Sequence, residues 1–194
     1  MFYKNIKKLI FLLIGLSAAV LLFSGCGRED YESEFILGKS RIHCNGSTIT
    51  VSAPFELIAD GKQADLSPSD AVKIGAEGHN KNMQILVTGN KISDEFNVES
   101  LTKGAQDLLL QNQRISNLKT NITPAVIGES SGYCLDFSFT ESSGARKTNL
   151  ILKEYIFSDR DTVWRVIYQY REGDAAGKYL MDKVSGDIVI GSTF

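Results

Sequence analysis

Apolar and polar residues follow several rhythms along this chain, and each predicts a different element. Lys4, Lys7 and Lys8 precede an almost unbroken apolar run from Leu9 to Phe23. That is the order of an export signal, and the run is short of the roughly 20 residues that span a bilayer as a helix. Residues 27–39, GREDYESEFILGK, start polar and acidic and sustain no period, which predicts a tether. Arg41–Cys44 and Ser47–Val51 flank Asn45-Gly46, a pair that accepts the positive φ angles of a type I′ turn, so a β-hairpin is expected. Pro54 interrupts the chain before Phe55–Ala59, a short strand or edge segment. Ser67-Pro68-Ser69-Asp70 supplies a capping hydroxyl, a proline at the first helical position and an acid three residues after the cap, predicting a helix over 68–77 that Gly75 and Gly78 weaken. Met83, Ile85 and Val87 then alternate with polar neighbours, as in a strand.

From Asn97 to Arg114 the rhythm changes to that of an amphipathic helix, with Val98, Leu101, Ala105, Leu108 and Leu109 on one stripe. Leu110 falls roughly 150° from the centre of that stripe and is expected to face outward, as a contact for the tether or a partner or simply as an exposed leucine. Between 117 and 170 the pattern is β: a stretch over 119–127, then 133–139, 149–157 and 162–170, separated by GESSG, ESSGAR and SDRD turns. In the last of these both faces carry large residues, Val163 and Ile167 on one and Trp164, Val166 and Tyr168 on the other, which predicts a central strand covered on both sides. Asp174 can cap a final helix through Ala176, Tyr179, Leu180 and Val184, extending toward Ile188 with Gly186 fraying its end. The expected fold class is α+β, a three-layer α/β/α sandwich around a central antiparallel sheet.

Composition narrows the class. The 194 residues are 43% hydrophobic and 23% charged, which suits one globular domain. The formal charge is −2, and loss of Lys4, Lys7 and Lys8 with the leader leaves −5, so no surface for nucleic acid is advertised.

The apolar run ends Leu22-Phe23-Ser24-Gly25-Cys26. This resembles the lipobox of bacterial lipoproteins, with Phe23 standing where leucine is usual. The resemblance implies diacylation of the Cys26 thiol, removal of residues 1–25, and often acylation of the new amino group. Two or three acyl chains give stable anchoring where one would be marginal. The expected organisation is a signal peptide over 1–25, a tether over 26–40 and a domain over 41–194.

The order of elements, a hairpin leading into VSAPFELI, a strand MQILVTGNKI, a long helix, a meander ending in TVWRVIYQY and a helix AAGKYLMDKVSGDI, resembles the PsbP-like fold, including DcrB-like envelope lipoproteins, over residues 41–190. It implies binding and assembly roles without a common catalytic chemistry, and it assigns no residue a function.

Candidate chemistry is sparse. Gly128-Glu129-Ser130-Ser131-Gly132 has the letters of a nucleophile elbow, but alternating Tyr133, Leu135, Phe137 and Phe139 follow it, so a hairpin loop is expected. His43 and Cys44, adjacent in a strand, point to opposite faces and cannot share a metal, and His79 stands in a loop. Asp159 and Asp161 flank Arg160, the pattern of a solvated turn rather than a calcium loop. Gly75-Ala76-Glu77-Gly78 has no strong helix after it to cradle a phosphate. Cys44 and Cys134 remain as thiols, with a disulfide between them left open. No catalytic residue, metal or cofactor is expected. The chain therefore reads as an exported, membrane-tethered, non-catalytic binding or assembly module of the bacterial envelope, with the membrane and an envelope protein as partners. Two alternatives stand beside it: an enzyme whose carboxylates, such as Glu129, Asp136 or Glu154, converge only in the fold, and a carrier of a small apolar ligand.

Overall fold

A computed structural model describes residues 34–58 and 73–191. In chain order the elements are β1 (Gly38–Cys44), β2 (Ser47–Ala53), β3 (Lys73–His79), β4 (Met83–Lys91), α1 (Val98–Gln111), β5 (Ile115–Ile127), β6 (Ser130–Ser143), β7 (Arg146–Asp159), β8 (Thr162–Arg171), α2 (Ala175–Val184) and β9 (Ile188–Gly191). Six strands form an antiparallel sheet in the order β3-β4-β8-β7-β6-β5, and β1, β2 and β9 form a second, smaller one. No helix among the described residues is long and apolar enough to cross a membrane.

Alternation along the strands sorts side chains onto two faces. On one, Leu86, Leu135, Phe137, Ile156, Val163 and Ile167 pack under α1, which buries Ala105 and Leu109. On the other, Ile85, Val87, Phe157, Trp164, Val166 and Tyr168 meet Ile49 and Val51 of the small sheet and Leu180 and Val184 of α2. The molecule is thus a three-layer α+β sandwich, as the periodicity predicts, but its second outer layer is shared between a helix and a sheet. Strand β8 lies between β4 and β7, and every residue from Thr162 to Gln169 is buried. Full burial of its large side chains is worth about 1.5–3 kcal/mol each.

Both helices begin where the sequence places them. The Asn97 side chain accepts from Ser100 N–H at 2.8 Å, and that of Asp174 accepts from Gly177 N–H at 2.9 Å. The β1–β2 turn has Asn45 and Gly46 at φ 47° and 76°, as the type I′ reading requires. Its tip docks on the β7–β8 tip. Trp164 Nε1–H donates to Ser47 Oγ at 2.8 Å, Ser47 donates onward to Asp159 Oδ2 at 2.6 Å, and Thr162 Oγ1–H donates to the Cys44 carbonyl at 2.9 Å.

Four expectations need correction. The helix predicted over 68–77 is replaced from Lys73 onward by β3, and its capping signal, residues 67–70, lies outside the described residues. The glycines that looked like helix breakers permit close crossings. A Cβ on Gly78 would stand 2.6 Å from the Glu56 carbonyl oxygen, where residues 55–58 cross and Ile58 bridges Glu77. His79 accordingly ends a strand instead of standing in a loop. Finally, α2 stops at Val184, and Ile188 starts β9 against Val51. The hairpin also starts earlier than Arg41, because β1 begins at Gly38 and Phe35 already packs on the core.

Candidate functional site

The β3–β4 turn builds a cleft. Asn80 organises it: its side-chain oxygen accepts from the N–H groups of Asn82 and Met83, both at 2.9 Å. Its own N–H donates to the Met83 carbonyl at 3.0 Å. Asn82 Nδ2–H then reaches Asp174, at 3.2 and 3.1 Å from its two carboxylate oxygens, which ties the turn to the start of α2. Gln84 pairs with Gln169 across β4 and β8, and Leu150 pairs with Arg171 across β7 and β8. These side chains belong to the α1 face of the sheet, at an end where α1 lies over β5, β6 and β7.

His79, Lys81, Asn82, Gln84, Thr148, Gln169 and Arg171 line the cleft, with Met83, Leu150 and Tyr170 as its apolar part, and no carboxylate is among the lining residues. Gln169 is buried, at 8% exposed. The Asn82 side-chain oxygen is likewise buried without a hydrogen-bond partner. Burial raises the Tyr170 hydroxyl above the ordinary tyrosine range. Arg171 Nη2–H points toward the Lys81 carbonyl at 3.5 Å, and Lys81 Nζ lies 3.8 Å from Glu34. The chain thus joins the domain at the cleft rim. Convergent amides and cations in a concavity can hold an oxyanion that also bears hydroxyls.

A second polar group lies on the same face. Arg165 Nε–H donates to Glu154 Oε1 at 2.5 Å, with side-chain exposures of 10% and 3%. Thr88, the register partner of Arg165, and Asn90 each bury a side-chain oxygen without a hydrogen-bond partner.

The sequence candidates disperse. Glu129 is exposed in the β5–β6 turn, Asp136 pairs with Lys153 at 2.8 Å on the face away from α1, and Glu154 faces α1. These three carboxylates therefore do not converge, contrary to the enzyme alternative. Gly128 and Glu129 form a two-residue hairpin turn with Gly128 at φ 59°, and Ser130, Ser131 and Gly132 already belong to β6, so the loop expected over GESSG is confined to its first two residues. Ser47 donates to Asp159, and the Asp161 carbonyl accepts from Ile92 N–H, which makes the Asp159–Asp161 segment a hairpin turn.

His43 donates to or accepts from Thr48 at 2.8 Å, while Cys44 packs inward on Gly89. Cys44 and Cys134 are not bridged. Cys44, at the end of β1, packs over Gly89 of β4, and from β4 to β6, which carries Cys134, there are three strand spacings of roughly 4.8 Å, well beyond the roughly 7 Å limit for a disulfide. Burial first and Asp136 second raise the Cys134 thiol, opposing thiolate formation. Leu110 is 63% exposed on the outer face of α1, as the helical phase predicts. Cys26 lies outside the described residues.

Reading 68–77 as a helix concealed the cleft, because it removed β3 and therefore the turn at Asn80–Asn82. The usable signal was the Gly78–Asn82 stretch running into an alternating strand, the mark of a hairpin once Gly78 is taken as a strand residue.

No family model and no curated protein matches the chain. Among solved structures it is similar to the cyanobacterial PsbP, CyanoP, of Synechocystis, at 12% identity and a TM-score of 0.49 over 87% of this chain and 99% of that one. It is also similar to LpqN of Mycobacterium tuberculosis, a protein involved in cell envelope biogenesis, at 14% identity and a TM-score of 0.46 over 87% of this chain and 99% of that one. Neither likeness assigns a residue a role.

Proposed function

We propose that the protein is a lipid-anchored, non-catalytic binding or assembly module of a bacterial envelope, held at a membrane through Cys26. The observation that carries this reading is the order of Lys4, Lys7 and Lys8, the apolar run from Leu9 to Phe23, and Ser24-Gly25-Cys26. The cleft supports it as a place to bind. Side chains occupy both spaces between sheet and outer layers, Leu135, Phe137 and Ile167 on one side and Trp164, Tyr168 and Leu180 on the other, which favours a module over a carrier of apolar ligands. Leu110, alone on the outer face of α1, is the contact we assign to an envelope protein partner.

Fractionation tests the anchor. The wild-type protein is expected to pellet with membranes, and Cys26→Ser to leave that fraction while keeping its fold. A Cys26→Ser variant that pellets as fully as wild type overturns the anchor reading. Crosslinking in the host tests the partner: loss of an adduct in folded Leu110→Asp supports the contact, and an unaffected adduct removes it.

A further inference from the structure

We propose that the end of the domain formed by residues 34–37 and the β3–β4 turn rests on the bilayer that carries the anchor, and that the cleft receives the phosphate of an anionic glycerophospholipid headgroup. This inference rests on the lipid-anchor reading for its geometry. Three observations place the membrane at this end. Glu34 sits 3.8 Å from Lys81 at the cleft rim, and Cys26 is eight residues earlier, so an extended chain lets the rim stand at most about 28 Å from the anchor. Phe35 packs on the core and fixes the chain there, while Ile36, the next residue, is 91% exposed and Leu37 44%. Large apolar side chains beside a lipid-bearing cysteine find their burial in the interfacial region of the bilayer. The charge at the rim suits the same surface, because Lys81 and Arg171 line the cleft with no carboxylate among the lining residues.

The neutral lining narrows the headgroup. A phosphate engages Lys81 and Arg171, and hydroxyls beside it engage the amides of Gln84 and of the buried Gln169, both of which line the cleft. Phosphatidylglycerol offers both groups, whereas phosphatidylcholine carries its own cation against the phosphate. Two carboxylates stand near: Asp174 is held by Asn82 and the α2 N-terminus, and Glu34 at the rim offsets part of Lys81.

The test uses the full lipoprotein in nanodiscs of phosphatidylcholine alone or mixed with phosphatidylglycerol, read by amide hydrogen exchange of residues 79–84 and 169–171. Exchange there is expected to slow in the phosphatidylglycerol discs and not in the others. Lys81→Glu, at a side chain 67% exposed, should reduce that protection by more than about fivefold while the Trp164 emission stays native. Ile36→Ser should weaken it further. Equal exchange in both kinds of disc, in protein whose mass shows lipid on Cys26, overturns the proposal, as does protection by millimolar inorganic phosphate without protection by the anionic discs. If the mass instead shows an unmodified Cys26, the anchor reading fails separately. The same full chain mixed with phosphatidylglycerol or phosphatidylcholine vesicles then decides the headgroup claim, and equal exchange in the two overturns it.

Discussion

Removing either partner of the Glu154–Arg165 pair strands a charge in the interior, and the size of that effect follows from burial. The two side chains are 3% and 10% exposed, and they lie among Leu152, Ile156 and Ile167 on the α1 face. An isolated charge at such a site has lost its hydration without compensation, so breaking the pair costs about 3–5 kcal/mol. Against a typical domain stability of about 5–15 kcal/mol, that is about a fifth of the total or more. Glu154→Leu and Arg165→Met are each expected to shift the urea midpoint accordingly, followed by Trp164 emission and far-UV circular dichroism. The double variant replaces the pair by apolar groups of similar size and strands no charge. It is expected to be more stable than the sum of the single losses by at least about 2 kcal/mol. Strictly additive losses, or single losses under about 1 kcal/mol, would refute the reasoning that the pair is a mutually compensating buried unit.

The remaining predictions concern the other face and the surface. Ser47→Ala leaves the fully buried Trp164 Nε1–H without its acceptor and should cost about 1–3 kcal/mol, with a smaller additional loss in a Trp164→Phe background, measured by urea unfolding followed by circular dichroism. The Tyr168 hydroxyl is buried with no hydrogen-bond partner, so Tyr168→Phe should hold stability level or raise it by about 1 kcal/mol. Burial, and secondarily Tyr155, raise the Tyr168 hydroxyl far above its ordinary range. The unfolded chain then releases this proton first, so the contribution is intact below about pH 10 and is lost as pH rises beyond it. Urea midpoints between pH 8 and 11 should therefore fall less steeply in Tyr168→Phe than in wild type. Leu110→Asp, at an exposed helical position, should change stability by less than about 0.5 kcal/mol in the same assay.

Legibility in the sequence tracked the strength of local signals. The 98–111 helix had a full apolar stripe, and the meander had alternation bounded by turn residues, so both periods were unambiguous. The burial of β8 was readable because large residues on both alternating faces require cover on both sides. Strand β3 was not, since Gly75 and Gly78 serve a crossing by residues 55–58 and that crossing is a tertiary fact with no local period. Strand β9 was hidden for a related reason. Ile188 continues the apolar spacing of α2, and only pairing with β2 turns it into a strand. The cleft draws residues from β3, β4, β7 and β8, far apart in the chain, so no motif announces it. Leu110 needed only the phase of one helix, which is why it could be placed.

Mass spectrometry of the amino-terminal peptide, taken from protein isolated from the membranes of its own host, tests the central claim most directly. The account predicts a chain beginning at Cys26, with a diacylglycerol on the thiol and residues 1–25 absent. An unmodified Cys26 in protein recovered from the aqueous fraction would contradict it.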